Sequence, residues 1–459
     1  MSDLSVLRER LTRPLPKERN VLLRDPKDAL QIALHSYDGC AKGCPGCVVD
    51  RFFKNKARFK PLISTDDMRI LQSRTLEYFD WFSEYLDERA DRLGEGARSH
   101  KIEYHSYTFR FGNHSELPEE HLMDMVQILE APDQIFSTAP ANNEEVAKLI
   151  RVHDAVPGKS AYEIVYDPFY DDVNEIRAMI MGLRKGGIFT FPEVVMTRRL
   201  FDHFSPEKFV AECIAPIGDI GTMIQLARYT PARSRGFRKT QMIPIDEEIE
   251  WMNRVLELCI EGNHVITQIP LGSRAVDLLA HHDEYKALTE DGFNEELLPE
   301  PKAFSPLDTR EAVRDNCMTS LYVDHELNVF TWSEAVGNHI LDENLGFDSI
   351  GNLRDSSFQD IVTKKGGGVD RMVAAIMRNL MTNAKCTGCR YQSFCAPHGS
   401  HLFRRWAMDD GEHCYGYLPI IRTLQENLEY LRMSTPEFPA IERLLDDHHD
   451  DDLPSVAAE

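Results

Sequence analysis

The stretch that decides the fold is a short apolar run, LQIALH at 30–35, and the loop after it, Cys40-Ala-Lys-Gly-Cys44-Pro-Gly-Cys47. The run is typical of a buried strand. The loop holds three cysteines within eight residues, among glycines that let the backbone wrap closely around a bound group. Structural zinc and ordinary ferredoxin-type clusters take four protein ligands, so three cysteines leave a coordination position open. A zinc site completed by His35 or His105, or three free thiols, is the alternative.

Strand-like and helical runs alternate along the chain after this loop. The predicted strands are 30–35, 102–111, 134–137, 161–166, 193–197, 223–227 and 264–269. The predicted helices are 65–92, 119–129, 143–151, 173–185, 206–214 and 247–261. Such alternation specifies a parallel sheet covered by helices, because each crossover covers the sheet face that it leaves. We therefore predict an α/β fold, a partial (β/α)6 barrel that falls short of eight units, with the cysteine loop at the mouth where such barrels bind ligands.

The pattern changes after a loop rich in proline and acidic residues at 297–308. A hairpin is predicted from 320–323 and 328–331, and a short helix over 358–362. We predict an N-terminal extension over 1–29, the barrel over 30–300, a small C-terminal domain over 309–420, and a terminal helix (423–431) with an acidic tail over 421–459.

A second cysteine group lies in the C-terminal region. Cys386 and Cys389 form a CxxC motif, followed by Cys395 and Cys414. Four soft ligands, two of them in a tight turn, suit either zinc or an iron–sulfur cluster. The ligand count alone does not decide between these two metals.

The CxxxCxxC motif after the first strand of a partial barrel resembles that of the radical SAM superfamily. The resemblance implies that Cys40, Cys44 and Cys47 hold a 4Fe-4S cluster whose fourth iron is chelated by S-adenosylmethionine. It implies reductive cleavage of that cofactor to a 5′-deoxyadenosyl radical, which abstracts a substrate hydrogen. It also implies an electron donor such as flavodoxin or ferredoxin. Gly46 stands where family members commonly carry an aromatic residue.

The same resemblance implies a set of cofactor-binding residues at the ends of successive strands. The family's Gly-Gly-Glu-Pro segment has no clean copy, and its best candidate is the stretch 111–116. The residues implied to contact the cofactor are Gly112, Asn113, Glu116, Tyr166, Asp167, Thr197, Arg198 and Arg228. A loop or surface role is the alternative for each of them.

The C-terminal region resembles the SPASM domain that follows many radical SAM barrels. The resemblance implies that Cys386, Cys389, Cys395 and Cys414 ligate one auxiliary cluster, giving two 4Fe-4S clusters in all. Gly399 stands where a further cysteine is expected, and none lies near Trp332, so a second auxiliary cluster lacks ligands. Cys317 stays unassigned, or is a small buried thiol.

Two further cysteines, Cys213 and Cys259, lie in helical patterns. A buried cysteine behaves as a small hydrophobe, and this is the default expectation for both. The alternative is that one of them points into the barrel and donates a hydrogen atom to a substrate radical, as in some members of the superfamily.

Composition and charge exclude several functional classes. The chain has 459 residues, 42% of them apolar, and a net charge of −23 from 52 basic and 75 acidic residues. This charge argues against unaided binding to nucleic acid or anionic membrane. Neither a membrane span nor the apolar core of a secretory signal is present, so we predict a cytoplasmic protein whose cysteines serve metals rather than disulfides.

The predicted function is that of a radical SAM enzyme. The resemblance favours oxidative modification of a peptide or protein side chain by crosslinking, dehydrogenation or epimerisation. Barely thirty residues precede the first strand, so a separate peptide-recognition protein, or a small-molecule substrate, is an open alternative. A non-catalytic zinc or iron–sulfur redox protein is the alternative from another class.

Overall fold

A computed structural model describes residues 29–36, 62–93, 102–110, 113–155, 160–220, 224–228, 243–262, 264, 266–269, 288–289, 292–293, 306–331, 349–383, 386–387 and 389. The predictions for the loop containing Cys40, Cys44 and Cys47, and for Gly112, Cys395 and Cys414, lie outside these residues. The terminal helix and acidic tail predicted over 421–459 lie outside them as well.

The core of the protein is a ten-stranded sheet, in which seven strands lie in chain order and three strands of the C-terminal region continue the sheet beyond the first of them. Strands β1 to β7 are parallel, and they are Ala29–His35, Tyr104–Phe109, Asp133–Thr138, Ser160–Val165, Phe189–Met196, Ile224–Arg228 and Ile266–Ile269. A separate small hairpin joins β8 (Leu288–Thr289) to β9 (Gly292–Phe293). All seven strands predicted for the barrel therefore lie side by side in chain order.

Helices connect these strands. Those within the barrel are α1 (Thr65–Leu93), α2 (Glu119–Ile128), α3 (Asn143–Ala155), α4 (Val173–Lys185), α5 (Arg198–His203), α6 (Pro206–Phe209), α7 (Ala215–Gly218) and α8 (Ile245–Gly262). A π-helical turn, Val210–Ile214, joins α6 to α7. The bounds of α4 coincide with the predicted helix, while α5 has no counterpart in the prediction.

The two faces of the sheet differ in what they contact. On β1, Leu30, Ile32 and Leu34 are fully buried in the core between the sheet and the helices. On β2 and β3, the stacked rings of Phe109 and Phe136 lie in the same core, with centroids 4.1 Å apart. Because side chains alternate along a strand, the intervening residues face the interior of the partial barrel.

The C-terminal region adds three strands and three helices to the part of the chain that the structure describes. These are α9 (Pro306–Thr319), β10 (Ser320–Asp324), β11 (Asn328–Phe330), β12 (Gly351–Asn352), α10 (Phe358–Thr363) and α11 (Gly368–Thr382). The predicted hairpin is confirmed as β10 and β11, and β10 pairs in parallel with β1. The hairpin therefore extends the barrel sheet, while a separate domain over 309–420 stays a prediction.

Two helices of this region correct the sequence prediction. A loop was predicted over 297–308, but its last three residues belong to α9, which begins at Pro306. The helix α11 was not predicted. Proline is favoured in the first turn of a helix, where the missing N–H has no intrahelical partner, so the same residue marks loops and helix starts. Among the described residues, no helix is long and apolar enough to cross a membrane.

Candidate functional site

A short turn of 3-10 helix, His114–Glu116, lies at the carboxyl edge of β2 and β3. Asn113 precedes it and is buried, and its Oδ1 accepts hydrogen bonds from Ser115 Oγ (2.7 Å) and from the backbone N–H of Ala139 (2.8 Å). Its Nδ2 donates to Glu116 Oε1 (2.9 Å) and to the carbonyl oxygen of Ala139 (2.9 Å). The structure thus brings Asn113 and Glu116 together and fixes both against the end of β3.

His114 ties this turn to the end of β1. Its ring is fully buried, with Nδ1 2.7 Å from the carbonyl oxygen of Ser137 and Nε2 3.0 Å from Ser36 Oγ. Since a carbonyl only accepts, Nδ1 carries the proton and Nε2 accepts from the Ser36 hydroxyl. Burial lowers the pKa of His114 to about 4, so the ring is neutral near pH 7. Ser36 directly follows β1, and Cys40 comes four residues later.

Tyr166 and Asp167 follow β4 at the same edge of the sheet. The Asp167 carboxylate accepts a hydrogen bond from the N–H of Phe169 (3.0 Å), and its own N–H donates to Asp171 Oδ2 (2.7 Å). The Tyr166 side chain lies in the hydrophobic core, hydrogen-bonded to Cys213. Asp167 is therefore held at the mouth of the barrel, whereas Tyr166 points towards the helices.

Thr197 and Arg198 follow β5 and have local partners. Thr197 is the N-cap of α5, with its hydroxyl accepting from the N–H of Leu200 (3.2 Å). Arg198 forms a two-pronged ion pair with Glu247 on α8, with Nη2 2.7 Å from Oε2. Both contacts stabilise helices. Arg228 is the last residue of β6.

The remaining cysteines among the described residues fall into two environments. Cys213, Cys259 and Cys317 are buried in the hydrophobic core, where burial raises the pKa of each thiol. Cys213 lies in the π-helical turn. These positions suit packing, and the predicted hydrogen-donor roles of Cys213 and Cys259 stay predictions.

Cys386 and Cys389 lie just beyond the end of α11, partly buried against the core. The N–H of Cys389 donates to the carbonyl oxygen of Cys386 (3.1 Å), which closes the tight turn expected of a CxxC motif. Within the residues described, no group of three or more His, Cys, Asp or Glu side chains is placed to hold a metal. The auxiliary cluster thus stays a prediction.

Sequence reasoning missed a polar band in the interior of the barrel. It comprises side chains from five successive strands or strand ends: Arg110, Ser137, Glu163, Glu193 and Gln225. The available signal was a glutamate in the middle of each of two apolar strands, AYEIV and FPEVV. Only the strand order makes these two glutamates neighbours.

Comparisons with known proteins found solved structures with a similar fold. No family model matches the sequence, and no curated protein matches it. A solved structure of histidine-tagged anSMEcpe with bound AdoMet aligns with a TM-score of 0.57 and 11% identity, over 92% of this chain and 99% of that one. "Native anSMEcpe with bound AdoMet and Cp18Cys peptide" aligns with a TM-score of 0.51 and 10% identity, over 91% and 99%. This likeness confirms the predicted fold class, an α/β partial barrel.

Proposed function

We propose that the chain is a radical SAM enzyme that uses S-adenosylmethionine (AdoMet) to abstract a hydrogen atom from its substrate. The observation that carries this proposal is the position of the three-cysteine motif, which begins four residues beyond Ser36 at the carboxyl edge of β1. That edge is where parallel α/β sheets and barrels bind ligands. Support comes from the fold shared with structures that hold AdoMet.

The donor set fits the cofactors. Three thiolates are ligands suited to iron–sulfur chemistry, and they leave one position for a non-protein ligand. With both cofactors bound, reduction of AdoMet supplies a hydrogen-abstracting radical. We assign Asn113 and Glu116, at the carboxyl edge of β2 and β3, to orient the charged amino acid moiety of AdoMet, and Asp167 to accept from its hydroxyl groups.

We further propose a peptide or protein side chain as the substrate, modified oxidatively. Two of the structures with the same fold contain AdoMet together with a peptide, named Cp18Cys in one and Kp18Cys in the other. An electron donor of the flavodoxin or ferredoxin type completes the proposal, and an auxiliary cluster held by Cys386, Cys389, Cys395 and Cys414 serves electron transfer or structure.

The test is the triple variant Cys40→Ala, Cys44→Ala, Cys47→Ala. Because the core comes from the sheet and helices, we expect a folded protein that forms no 5′-deoxyadenosine from AdoMet under dithionite in anaerobic assay. Cys317→Ala, which removes a buried thiol from α9, is the matched control and keeps 5′-deoxyadenosine formation. If the triple variant still formed 5′-deoxyadenosine, or if the wild type contained zinc and no iron, the proposal would be wrong.

A further inference from the structure

Glu163 and Glu193 face the interior of the barrel on neighbouring strands. On β4, Tyr162 and Ile164 are buried in the helix-facing core, so Glu163 between them points the other way. Across β4 and β5, Glu163 is paired with Phe191, and Val165 is paired with Glu193. The two glutamates therefore lie on the same face of the sheet, offset by two residues along the strands. Both lie in the carboxyl half of their strands, in the interior of the barrel.

Neutral groups are the hydrogen-bond partners of both carboxylates. Ser137 Oγ donates to Glu163 Oε1 (3.1 Å), and Gln225 Nε2 donates to Glu193 Oε2 (2.7 Å). Among the described residues, no lysine or arginine nitrogen lies within 4.0 Å of either carboxylate, and no donor contacts Glu163 Oε2 or Glu193 Oε1. Each carboxylate therefore has one oxygen open to a further donor.

The burial of the two carboxylates makes it costly to ionise both of them. Glu163 is only 6% exposed and forms no ion pair with another described residue, and ionising a buried carboxylate under those conditions is costly. Burial, and secondly the charge of Glu163, raise the pKa of Glu193 well above its ordinary value, while Arg110 and the Gln225 amide partly oppose this. The free protein meets the cost by keeping a proton on the pair near neutral pH.

An exposed apolar side chain lies on the same face of the sheet as the pair. Val195 follows Glu193 by two residues on the same face of β5, and it is 39% exposed although it belongs to an interior strand. Ligand sites combine such apolar surface with a few polar groups, as Val195 and the two carboxylates do here. Within the part of the chain that the structure describes, no group of three or more His, Cys, Asp or Glu side chains is placed to hold a metal ion. The ligand chemistry that suits the two carboxylates is therefore an organic cation with N–H donors.

We propose that Glu163 and Glu193 together bind a positively charged nitrogen group of the substrate, an ammonium or guanidinium, in exchange for a proton released to solvent. The open oxygens of the two carboxylates accept from the N–H groups of the cation, and the apolar part of the substrate lies against Val195. The proposal deepens the proposed function, because it names the substrate class of the same barrel interior. A lysine or arginine side chain of a peptide carries this chemistry.

The experiment measures binding of N-acetyl-lysinamide and N-acetyl-norleucinamide to the full-length, anaerobically purified protein by calorimetry at pH 7. The two probes differ in the ammonium group, so we expect the lysine probe to bind at least about tenfold tighter, a difference of about 1.4 kcal/mol. The measured enthalpy for that probe varies with the ionisation enthalpy of the buffer, because up to one proton leaves per cation bound.

Variants test the assignment to the two glutamates. The double variant Glu163→Gln, Glu193→Gln keeps shape and hydrogen-bonding capacity, and we expect it to bind both probes equally. Glu175→Gln changes an exposed glutamate on α4 and keeps the preference. Should the double variant fold poorly, Glu193→Gln alone serves, and it is expected to abolish the buffer dependence and reduce the preference.

Equal binding of both probes by the wild type, or an unchanged preference in the Gln variants, would overturn the inference. AdoMet binding, measured in the same preparations, separates this outcome from a failure of the proposed function. If AdoMet binds and the lysine probe is not preferred, this inference alone is wrong. If AdoMet does not bind and the preference is present, the proposed function is wrong while the cation site is supported.

Discussion

The Ser36 hydroxyl donates a 3.0 Å hydrogen bond to Nε2 of His114, although 78 residues separate the two along the chain. Ser36 directly follows β1, ahead of the cysteine loop, and His114 opens the turn that holds Asn113 and Glu116. One buried hydrogen bond thus links the residue that follows β1 to the turn that holds Asn113 and Glu116.

Replacing Ser36 by alanine is expected to lower the free energy of unfolding by about 1–2 kcal/mol, because it leaves the buried Nε2 of His114 without its donor. Urea unfolding measures this loss. We also expect weaker AdoMet binding, since the turn with Asn113 and Glu116 loses its hydrogen bond to the end of β1. Ser73→Ala, at an exposed position on α1, is the control and changes neither quantity appreciably. Unchanged AdoMet affinity in Ser36→Ala would show that the link is structural only.

The buried His114 predicts a loss of stability in mild acid. Burial lowers its folded pKa from 6.5 to about 4, so the unfolded chain binds the extra proton between those pH values. The contribution of neutral His114 to the free energy of unfolding is fully present above pH 6.5 and is lost as the pH drops towards 4. The loss from this group is at most about 3 kcal/mol. His114→Gln cannot take up the proton. The difference in unfolding free energy between wild type and variant is therefore expected to shrink as the pH falls, and a constant difference would contradict the assignment.

The alternation of strands and helices was sufficient to predict the seven parallel strands, because each buried strand has an apolar run of its own. Site residues were harder to predict. Thr197 and Arg198 stand where cofactor contacts are expected, yet the structure shows an N-cap and an ion pair to Glu247, a residue 49 positions away. The Glu163 and Glu193 pair was missed because each glutamate alone fits the solvent face of an alternating strand. Long-range partners of this kind follow from strand order, which local pattern does not contain.

Substitution of Arg198 distinguishes a structural role, the ion pair with Glu247, from a role in binding the cofactor. Its guanidinium is paired with Glu247 and its side chain is 24% exposed, so we expect Arg198→Ala to lose about 0.5–1 kcal/mol of stability and to keep AdoMet affinity. Glu247→Gln, which breaks the same pair from the other side, is expected to match it in thermal unfolding. If Arg198→Ala bound AdoMet at least about tenfold more weakly while Glu247→Gln did not, Arg198 would contact the cofactor as the family resemblance implies.

The carboxylate pair in the barrel predicts the opposite pH trend from that of His114. Because the pKa of Glu193 is raised in the folded protein by burial and by Glu163, the folded state keeps a proton that the unfolded state has released. The contribution of this proton to the free energy of unfolding is fully present below the ordinary glutamate pKa of about 4.3. It is lost as the pH rises through the raised pKa of Glu193. Glu193→Gln removes this loss, so its melting temperature relative to wild type is expected to increase with pH. Parallel pH profiles would contradict the burial of a shared proton.

Cys317 and Cys386 are expected to differ in what they contribute to iron content. Cys317 lies on α9 with 2% exposure, and burial raises the pKa of its thiol to about 12, so it persists as a protonated, apolar group. Metal ligands are thiolates, and the turn that contains Cys386 and Cys389 is only partly buried at the end of α11. We expect Cys386→Ala to lose about four irons per chain, the content of one cluster, and Cys317→Ala to lose none. Iron analysis with electron paramagnetic resonance of the reduced proteins distinguishes them, and a loss of iron in Cys317→Ala would show that its thiol is a ligand in spite of its buried surroundings.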